Sequence, residues 1–333
     1  MTVASSLLAP HLHAFFTTYL GQHKRASPQT VASCRDTFRL FLLFIKDTKH
    51  IEPSALALTE LDVPTILAFL THLEQHRGNT VRSRNIRLSA IRSFFRFVAL
   101  RDPERVELVT RILAIPVKRQ EKKLIGYLTR EEIEAILTAP DRTTWVGRRD
   151  YALLLTMYNS GARVSELTAL RCAQVAIGVS TFVHLHGKGR KERAIPLWPH
   201  TSRVLQEWFR ERGAEPGHMA FPNARGNPLS RHGVNYLLQQ AVTKALPGCP
   251  SLQTKNVTPH VVRHTTAMHL LQAGIDIATI ALWLGHESID TTHIYLAADL
   301  AAKERALQKL APVEDQGRRF TAADPLLTFL TSL

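Results

Sequence analysis

Apolar residues in the first hundred positions recur at the three-to-four-residue spacing that is typical of amphipathic helices. This spacing predicts four helices, with loops that carry Pro53 and Gly78. The predicted helices are His11 to Gln22, Pro28 to Lys46, Val63 to His76 and Thr80 to Leu100. The pattern therefore predicts a small all-helical domain, which we place at residues 1–113.

The fourth of these helices has an apolar side and a basic side. At 100° per residue its apolar sector contains Leu88, Ile91, Phe94, Phe95 and Val98. A second sector contains Arg82, Arg92 and Arg96. Seven arginines and no carboxylate lie between Arg77 and Arg101. A basic side without acidic neighbours favours contact with phosphate over a merely solvated face, so these three arginines are predicted to bind phosphate groups.

The pattern changes after Ala114, where IPVKRQEKKL is polar, charged and without an apolar period. We predict an interdomain linker at 114–123 and a second domain at 124–312. This domain opens with a capping-box pattern at Thr129 and Glu132, before a helix that Pro140 ends, and a further helix runs from Arg148 to Tyr158. The segments STFVHLH and RAIPL flank GKGRKE and predict a β-hairpin. The expected class is mainly α with a small sheet.

Charge narrows the range of partners for these two domains. The 333 residues include 42 Lys and Arg against 28 Asp and Glu, which gives a net charge of +14 and a pI near 10.1. Such a field attracts polyanions, with nucleic acid favoured and an anionic membrane surface second. No run approaches the ~18 apolar residues of a spanning helix. The segment MTVASSLLAPHLH lacks the cationic start of a signal peptide, so we expect a cytoplasmic protein.

Cysteine and histidine spacing argues against a metal site. The three cysteines, Cys34, Cys172 and Cys249, are scattered, and none belongs to a CxxC pair. The 16 histidines form no HExxH segment, and together with the cysteines they form no cluster with zinc spacing. We therefore predict neither a metal nor a cofactor.

Two segments of the second domain carry candidate phosphate ligands. In GARVSEL, a glycine turn brings Arg163 to the start of a helix, with Glu166 three residues later on the same face. A guanidinium held in this way offers a bidentate fork to a phosphate. In HGKGRKER, Lys188 lies at the tip of the predicted hairpin, with Arg190 and Lys191 beside it. A solvated basic turn is the plainer interpretation of that second segment taken alone.

Two later segments carry histidines and a tyrosine. In PHVVRH, His260 and Arg263 are three residues apart and share a face if the segment is helical. In LGHESIDTTHIYLAAD, His286 follows a Leu-Gly turn and Tyr295 follows nine residues later. A tyrosine in such a helix is more often a core residue with its hydroxyl at the surface. The order and spacing of all four segments together are more specific than any one of them.

In these segments the chain resembles the tyrosine recombinases of the phage-integrase and Xer type, and the resemblance covers nearly its whole length. It implies an N-terminal helical, SAM-like core-binding domain over 1–113 and an α+β catalytic domain over 124–312. The family's catalytic positions match Arg163, Lys188, His260, Arg263, His286 and Tyr295, with Glu166 as the supporting acid. Val262 stands where many relatives have leucine, and this departure affects no catalytic position.

The resemblance also implies roles for these residues. Tyr295 would attack DNA to give a 3′-phosphotyrosine and a free 5′ hydroxyl, without ATP. Lys188 would protonate the departing oxygen, His260 would assist proton transfer at Tyr295, and His286 would hydrogen-bond the phosphate. Arg163 and Arg263 would stabilise the transition state, and Glu166 would orient Arg163 or His260.

The expected partners are double-stranded DNA and further copies of the chain, assembled as a tetramer on two recombination sites, either alone or with a partner recombinase. Integration or excision of a mobile element and resolution of chromosome or plasmid dimers both fit this chemistry. The tail at 313–333 is predicted to carry a helix that docks into a neighbouring protomer, and the alternative is that it folds back on its own domain or frays. The alternatives are a type IB topoisomerase that relaxes DNA as a monomer and a DNA-binding protein that has lost cleavage. The six matching catalytic positions argue against the latter.

Overall fold

The structure is a computed structural model that describes residues 7–120, 126–178, 180–187, 192–286, 288 and 290–298. The chain divides into two compact units, 1–122 and 123–333. The described part of the predicted linker, 114–120, contains neither helix nor strand. No helix of the described residues is long and apolar enough to cross a bilayer.

Helices make up the first unit. They are α1 (Leu8–Ala14), a π-helical stretch (Phe15–His23), α2 (Pro28–Lys49), α3 (Val63–Gln75), α4 (Val81–Arg101) and α5 (Val106–Leu113). Short 3₁₀ turns occur at Pro53–Ala55, Leu58–Glu60 and Pro103–Arg105. Side chains of Ser27, Asp62 and Thr80 cap α2, α3 and α4 by accepting from the backbone N–H three residues later. The predicted all-helical domain is confirmed.

Aromatic side chains fill the core of this unit. The ring of Phe94 on α4 meets those of Phe15 and Phe38 edge-on, with centroids 5.4 and 5.1 Å apart. Phe41 on α2 packs against Phe69 on α3 at 4.7 Å. The whole apolar sector predicted for α4 is buried. Its period of 3.6 residues therefore identified the core-facing side correctly.

In its described residues, the second unit combines helices with one small sheet. Its helices are α6 (Arg130–Thr138), α7 (Trp145–Ser160), α8 (Val164–Thr168), α9 (Pro199–Glu211), α10 (Arg231–Ala245), α11 (Pro259–Gln272), α12 (Ile277–Leu284) and α13 (Asp290–Ala298). Short 3₁₀ turns lie at Cys172–Gln174 and Pro250–Thr254. The capping box of Thr129 and Glu132 is present as predicted.

The sheet contains the predicted hairpin and one short additional strand. Its strands β1 (Val175–Ala176), β2 (Phe182–His186) and β3 (Glu192–Pro196) are antiparallel and adjacent in that order. Leu185 on β2 pairs with Arg193 on β3. The predicted class, mainly α with a small sheet, is confirmed.

Two glycines end helices beside the candidate site. Gly161 follows α7 with φ +59° and Gly285 follows α12 with φ +65°, in the left-handed region that favours glycine. The chain turns sharply at each glycine, and the next few residues include Arg163 and His286. These helix ends therefore position two of the predicted site residues.

Candidate active site

Arg263 joins the two glycine-terminated helix ends. From α11 its Nη1 donates to the Gly161 carbonyl at 2.6 Å and its Nη2 donates to the Leu284 carbonyl at 2.7 Å. Only 4 % of this residue is exposed. A cation at two helix C-termini is favourable, because the last carbonyl groups of a helix carry partial negative charge. Arg263 is therefore fixed in place before any ligand binds.

Arg163 is held in place through Glu166. Its Nη1 donates to Glu166 Oε1 at 3.0 Å, and its backbone N–H donates to Glu166 Oε2 at 2.7 Å. Its Nη2 donates to the Gly285 carbonyl at 3.1 Å. The Arg163 side chain keeps 30 % of its surface exposed. Its guanidinium is thus oriented by the protein and still open to an incoming anion.

A third arginine, Arg193, belongs to this cluster and was not predicted. From β3 its Nη1 and Nη2 donate to the two carboxylate oxygens of Glu166 at 3.0 and 2.8 Å. Its Nε donates to the Trp283 carbonyl at 2.9 Å. Burial alone would raise the pKa of Glu166, but Arg193 and then Arg163 lower it below its ordinary value. Glu166 is therefore an ionised carboxylate that organises two arginines.

The close approach of Arg193 also explains why position 285 is a glycine. A Cβ added at Gly285 would lie 3.0 Å from Arg193 Nη1, besides being strained by the positive φ. Position 285 thus needs glycine for its conformation and for the close approach of the guanidinium.

Tyr295 on α13 lies inside the unit, with 1 % of its surface exposed. Its hydroxyl is 2.9 Å from Nδ1 of His264, a residue that follows Arg263 on α11. The rings of Tyr295 and His286 are nearly parallel, at 16° with centroids 6.3 Å apart. Burial raises the pKa of Tyr295, while the charge of Arg263 opposes that shift. The phenol is therefore protonated at neutral pH.

Both histidines beside Tyr295 are neutral at physiological pH. Burial lowers the pKa of His264 to about 4, with His260 and Arg263 adding to the shift. Burial lowers the pKa of His286 to about 4 as well, with Arg263 and Arg163 contributing. Nδ1 of His286 is 2.7 Å from the Thr292 hydroxyl. Each neutral ring has one nitrogen that accepts a hydrogen bond and one that donates a hydrogen bond.

The structure brings together five predicted residues: Arg163, Glu166, Arg263, His286 and Tyr295. His260 lies one turn before His264 on α11 and is exposed. Lys188, Arg190 and Lys191 lie outside the described residues. The sequence analysis missed Arg193 and His264, although they are the last residues of the segments HGKGRKER and PHVVRH. His264 carried a usable signal, because it follows His260 by four residues and so shares its helix face.

The arginines of α4 differ in whether they bond to the protein's own backbone or lie exposed on its surface. Nη2 of Arg92 donates to the Ile115 carbonyl, and Nη1 of Arg87 donates to the Ser33 carbonyl at 3.2 Å. Arg82 and Arg96 are exposed. Arg92 thus has an intramolecular partner within its own unit, which sets it apart from the other two predicted DNA contacts.

Comparison with known proteins decides the family. Residues 126–301 match the model of the phage integrase family, and residues 14–102 match that of the phage integrase N-terminal SAM-like domain. This chain belongs to the phage integrase family. The resemblance predicted from the four segments is confirmed.

Relatives extend this match to almost the whole chain. A putative integrase/recombinase y4rC of Sinorhizobium fredii is 49 % identical over 326 residues, which cover 98 % of each chain. The tyrosine recombinase XerC of Bacillus licheniformis is 31 % identical, over 84 % of this chain and 89 % of its own. The enzyme class predicted above, DNA strand breakage and rejoining by a tyrosine recombinase, is therefore confirmed.

A solved structure shares the fold. The XerH site-specific recombinase bound to palindromic difH substrate, in a post-cleavage complex, superposes with a TM-score of 0.67. The sequences are 23 % identical, and the match covers 82 % of this chain and 79 % of that one. The predicted pairing of an N-terminal helical domain with a recombinase catalytic domain is thus confirmed at the level of the fold.

Proposed function

We propose that Tyr295 is the nucleophile of site-specific DNA strand exchange. Its phenolic oxygen attacks a DNA phosphodiester, the bond from phosphorus to the 5′ oxygen breaks, and the phenolic proton leaves for a nearby base. The strand then carries a 3′-phosphotyrosine, which the 5′ hydroxyl of a second strand attacks in turn. The observation that carries the proposal is the contact of Tyr295 with His264 and His286, beside the anchored Arg263.

Arg163 and Arg263 stabilise the charge that builds on the non-bridging oxygens during attack. Both guanidinium groups are already tied to backbone carbonyls, so little reorganisation is needed when the transition state forms. Two fixed cations supply charge stabilisation of the kind that Mg²⁺ provides in other phosphoryl transfers. Glu166 orients Arg163 and, through Arg193, links it to the β-hairpin.

His286 donates a hydrogen bond to the scissile phosphate. If the Thr292 hydroxyl donates to Nδ1 of the neutral His286 ring, the ring proton is on Nε2, in the tautomer that donates to an anion. By family resemblance, Lys188 protonates the departing 5′ oxygen, and His260 assists proton transfer at the site. Arg190 and Lys191, next to Lys188, contact the DNA backbone.

The enzyme works on double-stranded DNA as four protomers, two on each recombination site, in the cytoplasm. The tail at 313–333, which lies outside the described residues, docks in trans between protomers. A partner recombinase and a mobile-element role both fit this assembly. The 49 % identical relative is named as a putative integrase/recombinase, which favours recombination over relaxation of a single duplex by a topoisomerase-like monomer.

Tyr295→Phe tests the proposal directly. On a nicked suicide substrate, the wild-type protein should form a covalent adduct that survives denaturation. The variant should bind the same DNA with unchanged affinity and form no adduct, because it lacks only the nucleophilic oxygen. Adduct formation by the Phe variant, or its absence in wild-type protein on DNA that the protein demonstrably recombines, would overturn the assignment. Tyr158→Phe is the control, since its buried hydroxyl also contacts a histidine on α11.

A further inference from the structure

Two histidines of α11, His264 and His269, each bring Nδ1 to the hydroxyl of a tyrosine. The two contacts differ in the other groups that surround them. Nδ1 of His269 is 2.7 Å from the Tyr158 hydroxyl, and its Nε2 is 3.0 Å from the Leu128 carbonyl. Both ring nitrogens of His269 are therefore used within the fold. This pair satisfies a buried hydroxyl and anchors the start of the second unit, which is the ordinary structural use of such a contact.

The His264 contact involves different groups. Its Nδ1 meets the oxygen of Tyr295, the residue proposed to attack DNA, and His264 directly follows the phosphate ligand Arg263. The ring of His286 packs near that of Tyr295. Arg263 acts electrostatically on both His264 and Tyr295, and His260 acts on His264. If the ring proton of the neutral His264 lies on Nε2, Nδ1 accepts the hydrogen bond of the phenol and is oriented to accept its proton.

We infer that His264 is a further catalytic residue, which anchors the Tyr295 hydroxyl before cleavage and accepts its proton during attack. As the bond from the phenolic oxygen to phosphorus forms, the proton moves to Nδ1 and gives an imidazolium. The bond from phosphorus to the 5′ oxygen breaks in the same step, and that oxygen takes a proton from the general acid. On religation, Nδ1 returns its proton to the departing phenolate, which closes the cycle without another reactant.

Substrate binding adjusts the basicity of this group. In the free protein, burial together with the positive charge of Arg263 disfavours an imidazolium at His264. A phosphate between Arg163 and Arg263 adds negative charge close to the ring and offsets this charge effect. The scissile phosphate therefore makes His264 a better proton acceptor, which couples activation of the nucleophile to DNA binding.

His264→Asn is the informative variant, since the amide oxygen of asparagine lies near the position of Nδ1. It retains a hydrogen-bond acceptor for the Tyr295 hydroxyl and cannot act as a base. We expect single-turnover cleavage of the suicide substrate to fall by about 100-fold or more, the usual effect of a lost general base, with DNA affinity unchanged. His264→Ala removes the anchor as well and should be slower still. His269→Asn, the matched control, should change thermal stability and leave cleavage by the folded protein unaltered.

Fluorinated tyrosine at position 295 separates proton acceptance from positioning. Fluorine substitution makes the phenol more acidic, so it should restore cleavage in His264→Asn by about tenfold or more and affect the wild type little. Because this role rests on the strand-cleavage function proposed above, the wild-type adduct is measured in parallel, and its failure would reject that function rather than His264. Wild-type rates in His264→Asn, faster cleavage in His264→Ala, or no recovery with the fluorinated residue would each overturn the inference.

Discussion

Arg193 and Glu166 form a two-point ion pair inside the second unit, with Nη1 3.0 Å from Oε1 and Nη2 2.8 Å from Oε2. The pair joins strand β3 to helix α8. The same guanidinium reaches α12 through the Trp283 carbonyl. Because Glu166 also holds Arg163, a displacement of the hairpin strand alters the position of a proposed phosphate ligand.

Arg193→Gln should therefore impair both folding and cleavage. Removing Arg193 leaves the buried Glu166 with Arg163 as its remaining arginine partner. The unfolding free energy should therefore fall, by less than the about 3 kcal/mol that a buried charge left without any partner costs. We expect the folded variant to cleave the suicide substrate more slowly than wild type, since Glu166, which orients Arg163, loses the guanidinium that fixes its own position. Urea titration and single-turnover cleavage at saturating protein measure the two effects separately.

Arg148→Gln provides a matched control for that experiment. Arg148 makes a similar two-point pair with Glu211, at 2.8 and 2.7 Å, on the exposed side of the same unit. Solvent screens such a pair, so cleavage should be unchanged and stability little affected. Equal cleavage by Arg193→Gln and Arg148→Gln would contradict the positioning role of Arg193.

Stability should decrease as the pH falls from about 6.5 to 4. In the folded protein the pKa of His264 and that of His286 are both lowered to about 4, from an ordinary value of 6.5. Within this window the unfolded chain binds more protons than the folded one, so acidification favours unfolding. Urea unfolding at several pH values measures the slope. It should be smaller in His264→Asn, and an identical slope in that variant would count against the lowered pKa.

Arg82 and Arg96 are expected to contact DNA phosphates from the exposed side of α4. Substituting either by glutamine should weaken binding and reduce the slope of log affinity against log salt by about 0.9, the effect of one lost phosphate contact. Fluorescence anisotropy over a range of salt concentrations measures both quantities. Arg35→Gln, on α2 of the same unit, removes an exposed arginine that pairs with Asp36 and should leave the slope unchanged. Equal slopes in all variants would exclude the α4 contact.

Cleavage is expected to persist in EDTA. Arg163 and Arg263 provide positive charge at fixed positions, and Lys188 is expected to supply the proton for the leaving group, so the proposed chemistry uses groups of the chain itself. Adduct formation on the suicide substrate, measured with and without chelator, checks this expectation. Loss of the adduct in EDTA and its return with Mg²⁺ would show that a metal takes part.

Periodicity predicted the helices well, because burying one face of a helix requires an apolar repeat. All five residues predicted for the core side of α4 are buried, and the prediction missed the buried Ala90 and Phe97. It did not predict the π-helical winding of Phe15–His23, since nine residues of apolar pattern fit that winding and an α-helix equally well. In the sequence, Arg193 belongs to a segment whose plainer interpretation is a solvated basic turn. Its pairing with Glu166 could not be predicted, because only the fold brings the two residues together. The same limit applies to His260 and His264, which share a helix face: the packing of α13 on α11 determines which one meets Tyr295.

The tail beyond α13 carries the prediction that concerns assembly. The segment PLLTFLTSL contains Leu326, Leu327, Phe329, Leu330 and Leu333, and apolar groups in this number need cover from the same protomer or from a neighbour. The tail follows the helix that carries Tyr295, so a tail bound to a neighbouring protomer would couple the reactivity of one nucleophile to the occupancy of the next. Deleting residues 320–333 should leave affinity for a single site unchanged, while pairing of two sites and recombination decline. Native gels and a two-site recombination assay distinguish these effects, and full-length rates with intact two-site complexes would rule out docking in trans.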